Sequence, residues 1–229
     1  MIIKGLQKTT LLDFPGKVAC TVFTSGCNFR CPFCHNASLV VRPDAVDEIS
    51  EEEFFGYLSR RKGILDGVAI TGGEPLVSVG IEEFIKRIKD LGLLVKLDTN
   101  GAFPSKLEAL LDAGLVDYVA MDIKNSRDKY ATTVGLPSFP ETVERSIDII
   151  MEKAPDYEFR TTVVRELHET QDIVSIAERI KNAKRYFLQS YVDSGDILCD
   201  GFSAYSAEEM LEILEKSRAV LPCTELRGT

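Results

Sequence analysis

The sequence predicts an α/β fold, either an open doubly wound sheet or a partial (β/α) barrel, and three observations lead there. Six short apolar, β-rich runs alternate with helix-patterned stretches. No linker, repeat or shift in composition interrupts the 229 residues, so residues 1–229 read as a single domain. Nearly every chemically unusual residue lies just after one of the apolar runs, where active sites sit in parallel α/β folds.

The predicted strands, in order, are VACTVFT (18–24), GVAIT (67–71), LVKLDT (94–99), DYVAMDIK (117–124), FRTTVV (159–164) and YFLQSY (186–191). Each is a short run bounded by turn residues, as buried parallel strands are. Between the first two, SEEEFFGYLSRR opens at Ser50 with Glu53 in capping-box spacing. GIEEFIKRIKDLG places Phe84, Ile85, Ile88 and Leu91 on one helical face and stops at Gly92. Further helices are predicted at 104–113, 140–153, 171–183 and 206–219, the last opening with Ser206 and Glu209 in the same capping spacing. No glycine-rich phosphate fingerprint follows the first strand, and periodicity alone leaves sheet and barrel both open.

Charge and composition narrow the function classes. There are 36 acidic and 27 basic residues, a net charge of -9, and Arg60-Arg61-Lys62 is the longest basic run. Nucleic acid is therefore not an expected partner, because phosphate binding needs a positive surface. No apolar run approaches a membrane span, and the N-terminal stretch lacks the apolar region and cleavage site of a secretory signal. The expectation is a cytoplasmic protein with no membrane partner. In that compartment six cysteines point to metal or redox chemistry rather than to a disulfide framework.

Half of those cysteines fall in SGCNFRCPFCHN (25–36), where Cys27, Cys31 and Cys34 share one loop with the turn residues Gly26 and Pro32. Closely spaced thiolates hold iron–sulfur clusters, and three of them leave one iron of a tetranuclear cluster open to a substrate or cofactor. The alternative is a structural zinc site of Cys27, Cys31, Cys34 and His35. Structural zinc sites usually take paired ligands from two separated segments, and adjacent Cys34 and His35 chelate one tetrahedral ion awkwardly.

Cys-x3-Cys-x2-Cys after an N-terminal strand, with Phe33 before the last cysteine and TGGEP (71–75) on the second strand, resembles the radical S-adenosylmethionine (SAM) superfamily. The resemblance spans nearly the whole chain and implies a partial (β/α)6 barrel of the radical SAM type. It also implies a 4Fe-4S cluster on Cys27, Cys31 and Cys34. CPFCHN, DTNG (98–101) and MDIK (121–124) are similar to glycyl radical enzyme activases. The opening TTLLDFPGKVACTVFTSGCNFRCPFCHN and the closing LRGT look most like those described as anaerobic ribonucleoside-triphosphate reductase activating proteins. The implied activity is reductive cleavage of SAM to methionine and a 5'-deoxyadenosyl radical, which takes hydrogen from a glycine of a partner enzyme. An anaerobic ribonucleotide reductase is the implied partner, with a flavodoxin-like or ferredoxin-like electron donor. The stretch between Cys34 and Gly72 contains no cysteine, so the ferredoxin-like insert of some activases is not expected. Cys20, Cys199 and Cys223 read as buried or incidental thiols. A radical SAM enzyme acting on a small molecule or peptide, and a zinc-stabilised binding protein, are the rival readings.

The resemblance also implies a SAM site. Gly72 and Gly73 would let backbone carbonyls approach the SAM amino group, with Glu74 orienting that loop or accepting a hydrogen bond. Asp98, Thr99 and Asp122 match residues that bind SAM and sometimes a monovalent cation. Lys124, two residues from Asp122 on one strand face, would pair with the SAM carboxylate, or else form an internal ion pair with Asp122. Arg160 is a further candidate contact, with Arg165 competing for the role. Gln189 or Tyr191 would close the adenosine side, where Val192 replaces the histidine of similar activases. Phe33 would pack beside the cluster and adenine and limit water access. His35 would tune the cluster from behind its ligands.

Overall fold

A computed structural model describes residues 1–228, so Thr229 of the LRGT stretch lies outside the described residues. Eight strands form one sheet in chain order: β1 (Ile3–Thr10), β2 (Ala19–Thr24), β3 (Gly67–Gly72), β4 (Leu94–Thr99), β5 (Tyr118–Asp122), β6 (Tyr157–Val163), β7 (Tyr186–Ser190) and β8 (Thr224–Arg227). β1 pairs antiparallel with β2, and every later neighbour pair is parallel. Strands added steadily in one direction with helical crossovers make a partial barrel. Among the described residues no ladder joins β8 back to β1.

The six predicted strands are β2 to β7, and the sequence missed the two at the edges. In IKGLQKTT the polar residues Gln7, Lys8 and Thr9 of the second half are exposed, because β1 is an edge strand. TELR is only four residues long and lacks an apolar run. The six-strand expectation is thereby extended at both ends.

Among the described residues eight helices connect the strands: α1 (Ala37–Val41), α2 (Glu51–Arg60), α3 (Ile81–Asp90), α4 (Pro104–Asp112), α5 (Arg127–Val134), α6 (Glu141–Lys153), α7 (Thr170–Arg179) and α8 (Ala207–Arg218). Ser50 Oγ accepts the Glu53 N–H at 3.1 Å, the half of the predicted capping box that forms. At α8 both halves form, Ser206 Oγ taking the Glu209 N–H and Glu209 the Ser206 N–H at 2.7 Å. Phe84, Ile85 and Ile88 are buried under α3, and Gly92 follows it with φ of 78°. α7 ends at Arg179, four residues before the predicted end. α1 and α5 were not predicted; α5 has little amphipathic pattern to reveal it.

Alternate residues of each strand face opposite ways. The outward set, including Val22, Ile70, Val95, Leu97, Val119 and Phe159, is fully buried in the core beneath the helices. The inward set is different. Phe14, Ala19, Tyr118 and Ala120 form a small apolar plug near the strand N-termini. Above it lie Lys96, Asp98, Asp122, Glu158 and Arg160, with Lys96 2% and Glu158 0% exposed.

Candidate active site

The Ser25–Asn36 loop leaves β2 and lies directly against the end of β3. Gly73 donates its N–H to Thr24 O at 3.0 Å, and Glu74 to Gly26 O at 2.8 Å. A Cβ on Gly73 would sit 2.0 Å from Gly26 O, and one on Gly72, whose φ is 117°, 2.4 Å from the Thr24 backbone. The two glycines are thus required by close approach of protein backbone, a demand separate from any ligand. Asn36 Nδ2 adds a bond to Gly72 O at 2.9 Å. Within the loop, Cys34 N–H meets Cys31 O at 3.1 Å, a turn that carries Cys31 and Cys34 to the same rim.

A pocket of about 260 Å³ opens at the strand C-termini under this loop. Its wall holds Cys27, Cys31, Cys34, Phe33, Gly72, Gly73, Asp98, Thr99, Asp122, Lys124 and Arg160. Of the sequence-predicted site residues Glu74, Arg165 and Tyr191 are off the wall. Gln189 lines the pocket, while Tyr191 lies outside it and stacks on His35 with ring centroids 5.5 Å apart. Arg165 also points elsewhere, to Glu209 at 2.8 Å. Sequence reasoning missed Lys96, Asn100, Asn36 and Thr162. A charged residue inside an apolar strand run, as Lys96 is, was the one available signal.

The pocket floor is an ion network across three strands. Arg160 Nε bonds Asp122 Oδ1 at 2.8 Å, and its two terminal nitrogens lie 3.3 Å from Asp98 Oδ2. Lys124 Nζ bonds Asp122 Oδ2 at 2.9 Å, and Lys96 pairs with Asp98. The internal Lys124–Asp122 pair is therefore formed. Burial alone would raise both carboxyls, but Arg160 first, then Lys124 at Asp122 and Lys96 at Asp98, hold them below the usual range. Burial opposes the charge on Lys124, and Asp122 more than offsets it, keeping its pKa raised. Glu158 lies 4.0 Å from Arg160 as well, so three cations and three carboxylates alternate across the floor, which offers partners to both a carboxylate and an ammonium.

Glu74 serves the loops. Fully buried, it accepts Asn100 N–H at 2.7 Å, Thr99 Oγ1–H at 2.9 Å and Leu76 N–H at 3.1 Å. Burial pushes its carboxyl up to about 7 against those three donors. Glu74 thus orients the loop by accepting hydrogen bonds, and all three come from protein donors. His168 similarly fastens the chain at Lys124. Its Nδ1 accepts Val164 N–H at 3.1 Å, so Nε2 carries the proton donated to Lys124 O at 2.8 Å; burial lowers its pKa and keeps it neutral.

The remaining thiols separate. Cys20 is buried on the outward face and Cys223 lies 3.3 Å from Ala183 O, but Cys199 is exposed and its N–H bonds Pro32 O at 2.9 Å, beside the cysteine loop. Among the described residues no three His, Cys, Asp or Glu side chains are close enough together to hold a single metal ion. The donor set fits an inorganic group beside an amino-acid ligand: three thiols at the rim, charged groups below, and the buried His35 Nε2 of the pocket wall without a protein partner.

A partial barrel of parallel strands with a thiol-rimmed, charged pocket at the strand C-termini defines a class of α/β barrel enzyme. Residues 21–180 match the Radical SAM superfamily. A Methanocaldococcus jannaschii protein described as a glycyl-radical enzyme activating enzyme is 32% identical over 198 residues, covering 83% of this chain and 80% of its own. A pyruvate formate-lyase-activating enzyme of Clostridium pasteurianum is 27% identical over 82% of this chain and 81% of its own. Streptococcus suis SuiB, solved bound to S-adenosylmethionine, shares the fold with a TM-score of 0.70 and 14% identity, over 90% of this chain and 49% of its own. The chain belongs to the radical SAM superfamily, within the glycyl-radical enzyme activating enzymes. Its cofactors are accordingly a 4Fe-4S cluster and SAM. No helix among the described residues is long and apolar enough to cross a membrane.

Proposed function

We propose that this chain places a glycyl radical on an anaerobic ribonucleoside-triphosphate reductase, working in the cytoplasm with a flavodoxin-like or ferredoxin-like protein as electron donor. The observation that carries the site assignment is the meeting of three thiols and an ion network in one pocket. Cys27, Cys31 and Cys34 hold the cluster. Gly72 and Gly73 present backbone to the SAM amino group, while Lys124 and Arg160 face its carboxylate over Asp98 and Asp122. Thr99, held by Glu74, completes that wall, and Phe33, 3% exposed, keeps water from the cluster side. When bound, the cluster and SAM supply the one-electron chemistry that removes hydrogen from a glycine α-carbon.

The chain's own share is positioning and charge. Lys124 and Arg160, both on the pocket wall, draw the carboxylate of SAM inward. Arg160, bonded to both aspartates, keeps each from turning toward the other ligands of the pocket. The choice of partner rests on the likeness of the opening segment and of LRGT to the reductase activators. Anaerobic mixing with SAM, reduced flavodoxin and the reductase tests it by electron paramagnetic resonance. A glycyl radical signal that disappears when the reductase glycine is replaced is expected. A signal only on another glycyl radical enzyme would overturn the partner, and cleavage of SAM with radical transfer to a small molecule or peptide would favour the rival reading.

A further inference from the structure

The loop after β4 carries a buried amide with both ends engaged. Asn100 is 6% exposed, and its Oδ1 accepts Ala102 N–H at 2.9 Å. That bond fixes the orientation of the amide, so Nδ2 is the end that faces the cysteine loop. Nδ2 lies 3.7 Å from Cys27 Sγ and 3.0 Å from Asn28 Oδ1. The backbone beneath is clamped: Asn100 N–H to Glu74, Gly101 N–H to Thr99 Oγ1 at 3.1 Å, and Ser146 Oγ–H to Gly101 O at 2.7 Å. A Cβ at Gly101 would strike Met121 Cε at 2.1 Å, so the loop has no slack on its core side.

We propose that Asn100 is a positioning residue that holds Cys27 and, through an N–H···S bond, raises the reduction potential of the cluster Cys27 binds. The inference rests on the assignment of Cys27 as a cluster ligand. A donor at a ligand sulfur stabilises the more negative, reduced cluster, as hydrogen bonds to cluster sulfurs do generally. Phe29 N–H also reaches Cys27 Sγ, at 3.4 Å, but comes from the same loop and moves with it. Asn100 reaches across from another strand, and Glu74 fixes that strand end to the β3 loop. The sulfur is thus referenced to the barrel itself.

The test is the midpoint potential of the reconstituted cluster, titrated by electron paramagnetic resonance without SAM, in wild type, Asn100→Ala and Asn100→Asp. Leaving SAM out removes any contribution from Asn100 as a pocket wall. The expected result is a more negative potential in Asn100→Ala and a still more negative one in Asn100→Asp, which sets a carboxylate against the sulfur. Asn100→Ser, which keeps a shorter donor, should fall between alanine and wild type, and carries the comparison if the alanine variant does not fold. Equal potentials in all folded, cluster-loaded variants would overturn the proposal. A wild-type protein that assembles no cluster would instead overturn the ligand assignment on which it rests.

Discussion

The two faces of the sheet are built from the same strands on opposite principles. On β5, Val119 and Met121 point out into a fully apolar core, while Tyr118, Ala120 and Asp122 point in. On β6, Phe159 points out and Glu158 and Arg160 point in. The outward face is held by non-directional burial, where any well-packed apolar residue serves. The inward face is held by matched charge, where losing one partner leaves another stranded out of water. Function is confined to the second face because polar groups aimed at a ligand must be fixed before the ligand arrives.

The largest effect expected lies at the rim above the inward face. Replacing Cys27, Cys31 or Cys34 by alanine should abolish reductive SAM cleavage, read as methionine and 5'-deoxyadenosine by chromatography. Cleavage surviving in any one variant would contradict the cluster assignment.

Next comes a direct contrast of the faces. Arg160→Met should destabilise the protein by about 3–5 kcal/mol, because Asp98 and Asp122 lose their shared cation, and should also weaken SAM binding. Leu97→Ala on the outward face should cost about 2–5 kcal/mol through a cavity while SAM affinity in the folded protein is kept. Denaturant unfolding and SAM titration on both variants would break the comparison if affinity fell equally.

A smaller effect is expected at Glu158. Arg227 of β8 donates to both its oxygens, one of them at 2.9 Å, and Tyr118 OH adds a bond at 2.8 Å. Burial would raise Glu158, but the Arg227 bonds and then the Arg160 charge hold it below its usual range. Its contribution to stability is present above the unfolded-state pKa and lost as pH falls through the lower folded-state value. Arg227→Met should cost about 1–3 kcal/mol at neutral pH. The variant's Glu158 titrates higher, so the gap to wild type should narrow as pH falls below the ordinary glutamate range. Melting temperatures that stay a fixed distance apart between pH 7 and 4 would remove Glu158 from the account.

The smallest is Lys124→Ala, expected to leave the cluster intact and weaken SAM binding roughly tenfold, about 1.4 kcal/mol. Unchanged affinity would reduce Lys124 to the internal partner of Asp122.

Legibility in the sequence followed the same division. Apolar runs revealed β2 to β7, since an outward face of valine, isoleucine and leucine marks a strand wherever it falls. β1 and β8 escaped because edge strands face water or end within four residues. The cysteine loop was legible from spacing alone, being local. Gly72 and Gly73 were singled out for their lack of side chains, though the reason proved to be contact with Thr24 and Gly26 rather than only with a ligand. Glu74 was placed near the site and turned out to brace it from behind.

By itself the sequence determined the α/β alternation, the cysteine-bearing loop and the strand ends that carry chemistry, because these depend on periodicity and on neighbours a few residues apart. Only the tertiary structure decided which charges are partners. Asp98 meets Arg160 and Glu158 meets Arg227 across 62 and 69 residues of chain. Asn100 reaches Cys27 across 73. Such pairings arise when strands distant in sequence are laid side by side at one barrel end, and no local pattern encodes which inward side chain will then find which.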